Sequence, residues 1–260
     1  MQRGTTMGIT EPQVPLPAAA ARKKNVFERI AGVLFAPAEA FGEIARRPDI
    51  FAPMLIVLAL GFAATLLIVP KLDLDAMFEA QSAQIRKQNP DIADADLERI
   101  VKWGAASAKM FMYISPLLMA LWWALMAAVL LFAFRLLGGE GTFRQALSAT
   151  IYAWLPMTIA GIITAVVVLA RGSFDPTTAA TIVKSNPAFL TTPTEQPVLF
   201  TLLSSLDLFS AWTLILLTFG FASLSKLPKA RAAGIVITLW IMMVLVKVGF
   251  AAMSAARMSA

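Results

Sequence analysis

The sequence predicts an all-α fold: a polytopic bundle of about five transmembrane helices, with amphipathic N-terminal helices at the membrane interface. Three observations predict it. Hydrophobic residues make up 58% of the 260-residue chain, above the roughly 45–50% of soluble domains. Charged residues contribute only 15%, against about 25% in soluble domains. Five stretches approach the roughly 20 mostly apolar residues that a helix needs to cross a bilayer. A soluble core of this size would leave large apolar patches in water, whereas hydrocarbon accepts them.

The first span runs from Phe51 to Val69 and is closed by Pro70 and Lys71. The second covers Phe111 to Leu137, long enough to tilt, and the third about Ala149 to Ala170. The fourth is Leu208 to Leu224, and the fifth about Ala233 to Met253. Ser204, Ser205 and Asp207 interrupt the apolar run before the fourth span, so Pro197 to Leu206 reads as a short interfacial helix with Asp207 at the mouth of the span. Pro156 removes a backbone donor inside the third span and should kink it.

Lys and Arg set the orientation, because they are retained on the cytoplasmic side. Residues before span one, between spans two and three, and between spans four and five carry twelve of them, against nine on the opposite side. The expected orientation is therefore a cytoplasmic N-terminus and an outer C-terminus. Residues 1–24 read as a disordered arm and 25–260 as the membrane domain. The apolar Val14 to Ala21 precedes its basic cluster Arg22–Lys23–Lys24, the reverse of a secretory signal.

Between Asn25 and Arg47, Val26, Phe27, Ile30, Val33 and Leu34 recur at helical spacing. Pro37 ends that helix, and Phe41, Ile44 and Ala45 begin a second stripe. Such helices suit either the lipid interface or packing on the bundle. The loop 72–110 is long and charged, split by Asn89–Pro90, with Asp94 placed to cap a helix leading into span two. A solvated helical hairpin is the expectation there. In the Gly-rich stretch Gly138 to Gln145, no strand precedes the glycines and no phosphate-loop spacing is present. Thr142 and Gln145 instead have capping-box spacing. Asp175–Pro176 reads as an N-cap followed by a first-turn proline.

Cysteine and histidine are both absent. That removes thiol chemistry, Cys- or His-ligated zinc and haem, and histidine acid–base catalysis. Only one carboxylate falls at a span, where an aspartyl protease needs two. No catalytic residue, metal site or cofactor is expected, and the chain is read as no enzyme. The net charge of +6 belongs to membrane flanks; no aromatic-rich basic groove signals nucleic acid. Asp207 and Lys247 alone place charge where lipid makes it expensive. Each lies 20 residues from Leu227 in the hairpin of spans four and five, so equal rise brings them to similar depth. A direct or water-bridged Asp207–Lys247 contact is therefore expected. A small transporter or channel using this pair is the alternative to a scaffolding or membrane-organising role.

Three stretches taken in order resemble the Yip family, the Ypt/Rab-interacting polytopic membrane proteins, in its bacterial branch. One is Arg29-Ile-Ala-Gly-Val-Leu-Phe-Ala-Pro-Ala-Glu-Ala-Phe41 with Pro48 and Pro53. Another is Gly138-Gly-Glu-Gly-Thr-Phe-Arg-Gln145 with Tyr152 to Pro156. The last is Leu206-Asp-Leu-Phe-Ser-Ala-Trp212 leading to Gly220. The positions that carry the likeness are Pro37, Phe41, Pro48, Gly138, Gly141, Phe143, Pro156, Asp207, Trp212 and Gly220. The resemblance runs from about Val26 to the C-terminus. It implies a bacterial cytoplasmic (inner) membrane and no catalytic residues. The amphipathic N-terminal helices and the scarcity of intramembrane polar groups point to a membrane-organising or scaffolding protein acting on lipid or on protein partners through residues 25–47 or 72–110. Eukaryotic members are linked to Rab-type GTPases and vesicle traffic, but no motif here carries over a Rab-binding residue, and the long first loop departs from the pattern.

Overall fold

The computed structural model describes residues 24–172 and 176–259. All of the N-terminal arm but Lys24, which pairs with Glu39 at 2.7 Å, and the Asp175 cap lie outside the described residues. Helices α1 (Val26–Phe35) and α2 (Pro37–Arg46) lead into α3 (Phe51–Ile68), which ends in a 3₁₀ turn, Val69–Lys71. Helices α4 (Leu74–Gln88) and α5 (Asp94–Leu136) follow, then α6 (Phe143–Ala153) and α7 (Leu155–Arg171). Two 3₁₀ turns, Pro176–Thr181 and Pro187–Leu190, precede α8 (Pro197–Ser205), α9 (Leu208–Ser225) and α10 (Lys229–Ser259).

Among the described residues, five helical segments are long and apolar enough to cross a bilayer: Phe51–Lys71, Asp94–Leu136, Phe143–Arg171, Leu208–Ser225 and Lys229–Ala256. Their outward faces carry Leu55, Phe62, Leu121, Phe132, Val166, Ile215, Leu245 and Phe250, all exposed. Lipid is the medium in which such faces are stable, because within each helix the backbone groups are already satisfied. The buried core is narrower and collects where α2, α5, α6 and α9 meet: Phe41, Trp123, Leu130, Phe134, Ile151, Tyr152, Leu216 and Phe221.

Local signals explain most boundaries. Asn25 and Glu28 form a complete capping box that starts α1, and Pro37 takes the first turn of α2, where its missing N–H is no loss. Thr142 and Gln145 form the expected capping box at α6. Thr142→Ala should cost about 1 kcal/mol, the usual value of an N-cap, read as a lower midpoint in detergent unfolding. Pro156 does break the third span. The ladder stops at Trp154, which ends α6 and caps α7.

Two expectations need correction. Asp94 does not cap α5: Ala93 holds that place and Asp94 is the first helical residue, its carboxylate taken by an ion pair with Arg86 of α4. The apolar stripe of α1 packs on the bundle through Ile30, Val33 and Leu34, but Phe27 does not share that face and Arg29 does. Arg29 and Val33 face the bundle, whereas Phe27 is 68% and Phe35 86% exposed.

The ends of the bundle are distinct. At one end lie α1, α2, the α5–α6 loop and the α9–α10 turn. There the Glu140 N–H donates to the Ser225 carbonyl at 3.0 Å, Lys226 pairs with Glu140 at 2.6 Å and Arg135 donates to the Gly141 carbonyl at 2.7 Å. At the other end Ser185 and the turn Pro187–Leu190 pack against α8 and the start of α9. The twelve basic residues counted on one side of the sequence fall, where described, at the first end.

Candidate functional site: a polar knot under the N-terminal helices

Helix α2 lies in a trough between α6 and α9. Its Phe41 is 1% exposed and rests on the backbone of Gly220. A Cβ at Gly220 would stand 3.2 Å from the Phe41 ring and 3.2 Å from the Ala149 Cβ. Glycine is what allows α9 to approach α2 and α6 so closely. The neighbouring Gly141 has φ +119° and packs its Cα against Leu224, leaving 2.6 Å to the Leu224 Cδ1 for any Cβ.

Beneath this contact the two N-terminal helices are fastened by one guanidinium. Arg29 is 2% exposed. Its Nη1 donates to the Asp49 carboxylate at 2.7 Å and to the Arg47 carbonyl at 2.9 Å, and its Nη2 reaches Glu43 at 3.1 Å. Burial works against the charge on Arg29, but the Asp49 and Glu43 carboxylates outweigh it and hold the guanidinium above its ordinary range. The Tyr152 hydroxyl donates to Asp49 at 3.0 Å. Ser148 donates to the Asp49 carbonyl at 2.7 Å, and Gln145 donates to the Ala45 carbonyl at 2.7 Å. Arg29 of α1, Glu43 of α2, Arg47 and Asp49 of the α2–α3 link, and Ser148 and Tyr152 of α6 thus form a single network. The Gln145–Ala45 bond ties α6 to α2 beside it. The planar, five-donor fork of Arg suits such a hub, as a lysine ammonium does not.

In the sequence Arg29 stands among the basic residues before span one and Tyr152 in the second family-like stretch, but nothing there joins them to each other or to Glu43, Asp49 and Ser148. One signal was present: Arg29 stands four residues before Val33 in the α1 pattern, the spacing of residues that share a helix face.

Among the residues singled out in the sequence, Pro37, Phe41, Gly141 and Gly220 gather at this end. Asp207 lies at the opposite end, where it caps α9 by accepting from the Phe209 and Ser210 N–H groups at 2.9 and 3.0 Å and from the Ser185 hydroxyl. The direct ion pair with Lys247 is absent among the described residues. Equal counting placed both at one depth, but the Asp207 carboxylate is engaged by its own helix and by Ser185, and Lys247 lines a groove beside α9 instead. Asp207→Ala and Lys247→Gln should therefore destabilise additively, within about 0.5 kcal/mol, in a double-mutant cycle of detergent unfolding.

No group of three or more His, Cys, Asp and Glu side chains that could hold a metal exists among the described residues. The architecture is that of a multi-pass α-helical membrane protein whose N-terminal helices are built into one end of the bundle. Residues 31–250 match the model of the Yip1 domain, and the chain belongs to that family. No curated protein and no solved structure matches it.

Proposed function

We propose that this protein is a non-enzymatic membrane organiser of the bacterial inner membrane, N-terminus inside, which presents the α1–α2 pair as a fixed docking surface. The observation that carries the reading is the division of labour on these helices. Arg29, Val33, Phe41 and Ile44 are buried against the bundle, while Phe27 and Phe35 stand outward with Arg46 and Arg47 also exposed. Large exposed aromatics beside cations suit an interfacial or partner-facing surface, and the polar knot fixes its orientation. The greater number of basic residues at this end supports the inward placement.

The experiment is capture of cross-linked partners from native membranes by the wild type and by Phe27→Ser/Phe35→Ser. Loss of specific protein or lipid adducts in the variant supports the reading. An identical set of adducts overturns it.

A further inference from the structure

Between α5, α9 and α10 runs an apolar groove of about 630 Å³, walled by Trp122, Met126, Leu217 and Trp240. Its size lies in the range of small-molecule sites, which combine apolar walls with a few placed polar groups. Three such groups line it: Lys247, Ser210 and Thr213.

Thr213 is 5% exposed, and its hydroxyl is buried without a hydrogen-bond partner. Other hydroxyls in the spans return their proton to the preceding turn. Thr65 donates to Gly61, Thr150 to Ala146, Thr164 to Ala160, Thr218 to Leu214 and Ser223 to Phe219, at 2.8–3.0 Å. Thr213 forgoes this bond while facing the groove. The Ser210 hydroxyl makes no hydrogen bond among the described residues either, and Lys247 has no ion pair there. In hydrocarbon an unmatched donor or cation is costly, so the groove is incomplete as it stands.

We propose that the groove binds an anionic phospholipid from the adjoining leaflet. Its phosphate sits at Lys247, its ester carbonyls accept from Ser210 and Thr213, and one acyl chain lies along Trp122 and Met126. Depth supports this order. Counted from the α9–α10 turn, Ser210 lies about 4.5 Å and Thr213 about 9 Å deeper than Lys247 at a helical rise of about 1.5 Å per residue. A cation nearest the surface and hydroxyl donors below it match a lipid whose charge is outermost and whose carbonyls come next. A fatty acid, with one carboxylate, would leave the deeper donors unmatched.

The test is lipid retention. Protein is purified from vesicles of equal phosphatidylglycerol and phosphatidylcholine, and the lipids kept after detergent washing are counted by native mass spectrometry. The expected result is at least one retained phosphatidylglycerol, favoured about tenfold over phosphatidylcholine. Lys247→Gln should abolish that preference and Lys247→Arg keep it. Thr213→Val, which preserves shape, should reduce retention several-fold while the helical circular dichroism stays unchanged. Equal retention of both lipids by the wild type overturns the assignment, as does an unaltered preference in Lys247→Gln. Displacement of phosphatidylglycerol by equimolar oleate also overturns it, in favour of a fatty-acid site. Exclusion of all lipid by a second copy of the chain would do so too, and would appear as a dimer.

Discussion

Arg29→Ala is expected to cost about 3 kcal/mol and to release α1 and α2 from the bundle. Removing one member of a buried ion pair typically costs about 3–5 kcal/mol, because the partner charge is left behind. The lower end applies here, since Asp49 keeps 33% of its side chain open and can regain some water. Glu43, 17% exposed, recovers less. The loss should appear as a lower unfolding midpoint in detergent and as faster tryptic cleavage after Arg46. Arg29→Lys should restore little: an ammonium cannot span Asp49, Glu43 and the Arg47 carbonyl in the geometry of the fork. Asp49→Asn should be milder than Arg29→Ala, because an amide still accepts from Arg29 and Tyr152. A midpoint for Arg29→Ala within error of the wild type would refute the hub.

Phe41→Ala should be of comparable or greater size, about 3–5 kcal/mol, the range for emptying a buried aromatic site. The value should fall in the upper part of that range because Gly220 has no side chain with which the wall could collapse into the void. The same geometry makes a second, sharper statement. Gly220→Ala alone is tight, its Cβ 3.2 Å from the Phe41 ring, and should be destabilising. Combined with Phe41→Ala it should be less harmful than the sum, since the new methyl partly fills the vacated space. A coupling of at least about 0.5 kcal/mol is expected for residues in contact. Strict additivity in the unfolding midpoints would show that α2 does not rest on α9 at this point.

The spans were legible because lipid imposes one simple demand, a long apolar run, and the sequence meets it five times. The capping box at Thr142 and the break near Pro156 were legible for a similar reason: each acts within four residues of itself. The polar knot was not. Arg29 finds Asp49 20 residues away and Tyr152 finds it 103 residues away, and no periodicity links such positions. Most of the α1 stripe packs on the bundle, but apolar character alone cannot tell the face toward protein from the face toward lipid or water, and one position falls on the other side. Phe27 looked like core and Arg29 like surface, and their places are reversed. Asp207 and Lys247 show a further limit. Counting residues along antiparallel helices gives depth, while contact also needs the right rotation about each axis, which the count does not contain.

Helix α5 runs for 43 residues without a break, about 65 Å at the usual rise, roughly twice the hydrocarbon thickness of a bilayer. Its first turns pair with α4, and its last turns end beside α9 near the polar knot. No joint separates the extramembrane half from the embedded half. Pro116, the one proline inside it, lies about 30 Å from its C-terminal end at the usual rise, so any bending point falls near the edge of the oily layer, where the two halves meet. A tug or twist on the α4–α5 hairpin would therefore reach the opposite end of the bundle as movement of a single rod, pivoting where it enters the bilayer.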